Sequence, residues 1–82
     1  MEIYNDAFDA IYKDDPAKAR LMKAKSDLMD KICDHLKSEN ITQLEASKII
    51  GCQQPRVSRL IGGKISEFSL GWLYLAMDKL EQ

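Results

Sequence analysis

Five polar side chains lie close together in the middle of the chain, namely Gln53, Gln54, Arg56, Ser58 and Arg59. Glutamine and arginine can make paired hydrogen bonds to the edges of adenine and guanine in the major groove of DNA. A solvated helix surface, however, is also rich in such residues. The secondary structure predicted around these side chains is therefore needed to distinguish the two interpretations.

The surrounding stretch, residues 42–64, predicts two short helices joined by a tight turn. Thr42 and Glu45 stand three residues apart, which is the spacing of a capping box at a helix start. Gly51 is placed to end that helix in a left-handed conformation. Pro55 then fits the first turn of a second helix, where its missing N–H would have no intrahelical partner. The inward face of this second helix is Val57, Leu60 and Ile61. Two helices around a glycine turn favour the DNA interpretation over the solvated surface.

Charge is concentrated on the same stretch. The 82-residue chain has a formal net charge of −1, but residues 41–64 hold four basic groups against one acidic group. Both flanking parts are net acidic. The uneven distribution predicts one face toward phosphates and other faces toward protein partners.

Residues 1–15 are predicted to be an N-terminal segment with a short helix from about Asn5 to Tyr12, and residues 16–82 to be one all-α domain. The short helix could pack on the domain's own core or contact a partner protein through Tyr4, Phe8, Ile11 and Tyr12. Asp14-Asp15-Pro16 predicts the start of a long helix that ends near Ser38. Its apolar positions step by three and four; they are Ala17, Leu21, Ala24, Leu28, Ile32 and Leu36. Met22, Met29 and Cys33 widen this apolar stripe.

A last helix is predicted from Leu70 to about Leu80, capped by Ser69. Leu70, Leu73, Met77 and Leu80 form one apolar stripe of this helix, and Trp72, Leu75 and Ala76 lie on another side. A helix that is apolar on two sides is either deeply buried or part of an interface. In so short a chain we expect a homodimer contact through Trp72, Leu75 and Ala76; the alternative is that Trp72 covers its own core.

Other classes of function find little support in the sequence. Cys33 and Cys52 have no partner at metal-ligand spacing, so we expect no metal and no cofactor. No nucleophile–base arrangement and no phosphate-binding glycine loop is present, so we expect no enzyme and no small-molecule substrate. No apolar run approaches the roughly 20 residues of a membrane span, and the acidic N-terminus does not resemble a signal peptide. These features predict a cytoplasmic protein.

The stretch from Ile41 to Leu70 resembles the Xre (lambda/Cro repressor-like) helix-turn-helix family, and within it the HigA-like antitoxins. The resemblance covers roughly residues 16–80. It rests on Thr42-Gln43, on the run Gln54-Pro55-Arg56-Val57-Ser58, and on Gly63-Lys64 followed by Phe68-Ser69-Leu70. It implies a four- to five-helix lambda-repressor-like domain. Ser47 and Cys52 depart from the residues usual in the family, but both are small enough for their positions.

The resemblance also implies roles for single residues. Thr42 and Gln43 would bind a phosphate at a helix N-terminus. Gln54, Arg56 and Arg59 would face base edges with Gln53 at their boundary, and Ser58 and Lys64 would touch the DNA backbone. The implied function is that of a dimeric repressor of a palindromic operator, as the antitoxin that neutralises an RNA-cleaving toxin and represses its own operon. A phage-type or solitary regulator, or a protein-interaction module on the same fold without a DNA site, remain as alternatives.

Overall fold

The computed structural model describes residues 13–82, and over these residues it contains four α-helices and no strand. The helices are α1 (Pro16–Ser38), α2 (Gln43–Ile50), α3 (Gln54–Ile61) and α4 (Leu70–Glu81), with a short 3-10 helix (Ile65–Glu67) between α3 and α4. The predicted all-α helix-turn-helix fold is confirmed. The short helix predicted around residues 5–12 lies outside the described residues.

Helix ends follow the local chemistry of the sequence. The Asp15 carboxylate caps α1 by accepting a hydrogen bond from the backbone N–H of Lys18 at 3.1 Å. Ser69 caps α4 in the same way through Trp72 N–H at 3.0 Å. Asn40 leaves α1 in a left-handed conformation with φ 55°, which asparagine tolerates better than most residues.

One apolar core joins all the helices. The C-terminal half of α1 packs against α4, α2 packs against both α3 and α4, and the 3-10 helix contacts α1. The buried core side chains are Leu28, Met29, Ile32, Leu36, Ala46, Ile50, Val57, Leu60, Phe68, Leu73, Ala76 and Leu80. The core thus fixes α2 and α3 relative to the rest of the domain.

The N-terminal half of α1 buries only part of the predicted face. Met22, predicted at the side of the stripe, is buried together with Ala19, which was not predicted, whereas Ala17 and Leu21 are exposed. A run of four-residue steps drifts around a helix, because 3.6 residues complete one turn. The stripe that contacts the core at Leu36 therefore does not continue to Ala17.

The prediction for α4 is wrong in one residue. Ala76 is only 1% exposed and belongs to the core, so it cannot contribute to a surface contact. Trp72 is half-buried against the core and against Phe68, which is the alternative raised from the sequence. Leu75, in contrast, is 62% exposed, and its neighbour Tyr74 is 61% exposed.

Candidate nucleic-acid interface

The N-terminus of α2 has the predicted capping box. Thr42 Oγ1 accepts a hydrogen bond from Glu45 N–H at 3.1 Å, and Thr42 N–H donates to Glu45 Oε1 at 2.9 Å. The hydrogen bond from Thr42 N–H to the carboxylate is the main cause that holds the pKa of the Glu45 carboxyl below its ordinary value. The N–H groups of Gln43 and Leu44 have no acceptor inside the helix because they belong to its first turn, and they can therefore bind an anion such as a phosphate.

The turn between α2 and α3 is set by Gly51, whose φ is +88°. The N–H groups of Gly51 and Cys52 both donate to the carbonyl of Ser47, at 2.8 and 3.0 Å. Lys79 adds a contact from α4, because its Nζ donates to the carbonyl of Ile50 at 3.0 Å. A basic side chain at a helix C-terminus both satisfies a carbonyl and complements the helix dipole, so Lys79 ties α4 to the end of α2.

Helix α3 places its predicted polar residues on the surface. Val57 and Leu60 are fully buried and fix the helix on the core. Ile61, also predicted to face inward, is 40% exposed, so that part of the prediction is wrong. Gln53, Gln54, Ser58, Arg59 and Lys64 are exposed. An open recess of about 480 Å³ lies along this surface and is lined by Pro55, Ser58, Arg59, Gly62 and Lys64. The structure therefore brings Ser58, Arg59 and Lys64 together, with Gln54 one turn before Ser58.

Arg56 does not share that surface. Its guanidinium carbon lies 4.5 Å from the ring centre of Phe68 and 4.8 Å from that of Trp72, and its Nη2 donates to the carbonyl of Glu67 at 3.4 Å. The side chain is half-buried. The sequence predicted a base-reading role for Arg56, but in the structure its guanidinium faces the protein's own aromatic pair. Position 56 lies 100° around α3 from position 57, at the edge of the buried face.

Glu67 contacts the candidate interface through Arg59, and the sequence reasoning missed this residue. Nη1 of Arg59 donates to both carboxylate oxygens of Glu67 at 3.1 Å, and both side chains remain partly exposed. Glu67 is eight residues away from Arg59 and is the last residue of the short 3-10 helix. No helical or capping spacing in the sequence signals such a pair.

The two cysteines lie apart from these contacts as half-buried free thiols. Burial is the main cause that raises the pKa of both thiols above the ordinary value. Over residues 13–82, no group of three metal-binding side chains is close enough to share an ion. Within the same range no helix is long and apolar enough to cross a membrane.

The structure contains two short helices joined by a glycine in the left-handed conformation, and the second helix has a polar and basic outward face. These features define a helix-turn-helix protein of the DNA-binding class. A family model described as "Helix-turn-helix domain" matches residues 11–82, and the chain belongs to this family. No curated protein and no solved structure gives a significant match to the sequence.

Proposed function

We propose that this chain is a sequence-specific transcriptional repressor that binds a palindromic operator as a homodimer. The observation that carries the proposal is the outward face of α3. Gln54, Ser58 and Arg59 are exposed there beside Lys64, while Val57 and Leu60 anchor the helix in the core.

In this proposal Thr42 and Gln43 at the start of α2 bind a DNA phosphate. Gln53, Gln54 and Arg59 face base edges, and Ser58 and Lys64 contact the backbone. Glutamine recognises adenine and arginine recognises guanine through paired hydrogen bonds. Such a protein works in the cytoplasm, on DNA.

The dimer contact that we propose is the exposed part of α4 around Leu75 and Tyr74. Two copies related by a two-fold axis would present their α3 helices to half-sites about 34 Å apart. We expect Leu75→Glu to be monomeric in sedimentation equilibrium. The control is Leu21→Glu, which places the same charge at an exposed leucine of α1. Equal dimerisation of both variants and the wild type would rule out this contact.

The test of DNA binding is a mobility shift with the DNA directly upstream of this chain's gene, against a scrambled duplex, at two salt concentrations. We expect a sequence-selective shift that weakens as salt is added, because phosphate contacts release counterions. Arg59→Ala should cost about 1–3 kcal/mol on the upstream DNA and relax selectivity at single base positions. The matched control is Arg20→Ala on α1, which should keep the selectivity. Absence of any shift at low salt would instead favour a protein-interaction module.

The antitoxin role rests on the resemblance of residues 16–80 to HigA-like antitoxins. We propose that the partner is an RNA-cleaving toxin encoded beside this chain. Co-expression provides the test: the neighbouring gene product should arrest growth alone and should be neutralised by, and co-purify with, this chain. A neighbour that is harmless alone would favour a phage-type or solitary regulator.

A further inference from the structure

We propose that Glu67 is a positioning residue for base recognition: its carboxylate holds one corner of the Arg59 guanidinium so that the opposite edge is presented to a guanine. The inference rests on the proposed DNA-binding function. It assigns a part in sequence selectivity to a residue of the short 3-10 helix, outside the helix-turn-helix.

Only one of the three guanidinium nitrogens of Arg59 contacts Glu67. Both contacts to Glu67 come from a single nitrogen, Nη1, at 3.1 Å to each carboxylate oxygen. Nε and Nη2 have no protein partner among residues 13–82. These two nitrogens form one straight edge of the planar guanidinium, and two parallel N–H groups are what the O6 and N7 acceptors of guanine require.

Glu67 is itself held in place from both sides. Its N–H donates to the carbonyl of Lys64 at 3.0 Å, and its carbonyl accepts the hydrogen bond from Arg56 Nη2. The next residue, Phe68, is 1% exposed. Its ring lies 5.0 Å from that of Trp72, and Arg56 covers both rings. Arg56 therefore acts on the DNA site indirectly, because it connects α3 to the 3-10 helix that carries Glu67.

We expect the Arg59–Glu67 pair to affect DNA binding rather than the free energy of unfolding. Exposed ion pairs contribute little to folding. A side chain that is already oriented loses less conformational freedom when it binds, which is worth roughly three- to tenfold in affinity. The same carboxylate repels phosphates on DNA of any sequence. This repulsion weakens selected-site and random-site binding alike, so only the orientation of Arg59 raises the ratio of the two affinities.

The experiment compares the wild type with Glu67→Gln, which keeps the side chain's size and removes its charge. The probes are a duplex selected by the wild-type protein from a randomised library, its single-base variants, and a scrambled duplex. We expect Glu67→Gln to lower the selected-to-scrambled affinity ratio roughly three- to tenfold, with the loss concentrated at one guanine. Asp30→Asn is the control, since it removes one negative charge from α1 and should leave the ratio unchanged.

A second comparison connects the effect to Arg59. In an Arg59→Ala background, Glu67→Gln should have no further effect on discrimination at that guanine. Trp72, the chain's one tryptophan, reports by its fluorescence that each variant keeps its fold. Suppose instead that Glu67→Gln strengthened binding to the selected and the scrambled duplex equally, so that the ratio of the two affinities did not change. Glu67 would then only repel phosphates, and the proposal would be overturned. An undiminished Glu67→Gln effect in the Arg59→Ala background would overturn it as well. A wild type that selects no sequence at all would instead refute the DNA-binding function on which the proposal depends.

Discussion

Replacing Gly51 by alanine isolates the backbone requirement of the turn between α2 and α3. A Cβ atom at this position would meet no atom within 4 Å, so no steric clash with neighbours contributes. The φ of +88° remains, however, and an L-residue in the left-handed region costs about 1–2 kcal/mol. We expect Gly51→Ala to lower the free energy of unfolding by this amount. In a domain of this size the midpoint of thermal unfolding should fall by about 4–16 °C.

Two matched variants separate this cause from others. Gly71 in α4 also has open space around it but no left-handed conformation, so Gly71→Ala should stabilise the chain by about 0.5 kcal/mol. Gly51→Asn should recover part of the loss, because asparagine tolerates this region, as Asn40 already does at φ 55°. Thermal and urea unfolding followed by circular dichroism measure all three. If Gly51→Ala were as stable as the wild type, or Gly51→Asn as unstable as Gly51→Ala, the turn's left-handed backbone would not be the determining feature.

Further predictions concern the helix ends, the aromatic stack and the thiols. The lowered pKa of Glu45 means that its stabilising contribution is present above the ordinary carboxyl pKa and is lost as the pH falls through the folded value. Acid titration of Glu45→Gln, which has no carboxyl at this position, should therefore show a shallower loss of stability below about pH 4 than the wild type. Lys79→Met should lower the free energy of unfolding by about 1 kcal/mol, since it leaves the last carbonyl of α2 without its side-chain donor; an unchanged urea midpoint would contradict this. Arg56→Lys keeps the charge but loses the flat stack, so the fluorescence of Trp72 should change in the free protein, and an identical spectrum would refute the stack. Because burial raises the pKa of both cysteine thiols, their alkylation by iodoacetamide at neutral pH should be slower than that of a small free thiol and should accelerate on unfolding.

Much of the fold could be predicted because its signals are local. The caps at Thr42 and Ser69 and the left-handed residues Asn40 and Gly51 all depend on neighbours within a few positions. Their hydrogen bonds form within a turn of the chain, so the residue types at the right spacing are enough to identify them. The exposed positions on α3 follow equally from helical periodicity once Val57 and Leu60 are recognised as its buried side.

The contacts that shape the candidate interface could not be predicted in this way. Arg56 and Arg59 have the same side chain and lie three residues apart on one helix, yet one stacks on Phe68 and Trp72 while the other pairs with Glu67. Whether an arginine of α3 stacks on the aromatic rings or pairs with the carboxylate depends on how residues 62–69 pass alongside the helix. His35 shows the same limit, since its Nε2 lies 3.1 Å from the carbonyl oxygen of Leu80, 45 residues away.

The sequence by itself determined the order and ends of the helices, the helix-turn-helix and the concentration of positive charge on it. Those properties are set by hydrogen bonds and apolar spacing within a few residues. Only the tertiary structure decided that Ala76 is core, that Arg56 faces aromatic rings, and that a carboxylate lies beside Arg59. Burial and ion pairing between distant segments depend on how the helices pack as a whole. No pattern within a few residues of the sequence specifies which distant side chains come into contact.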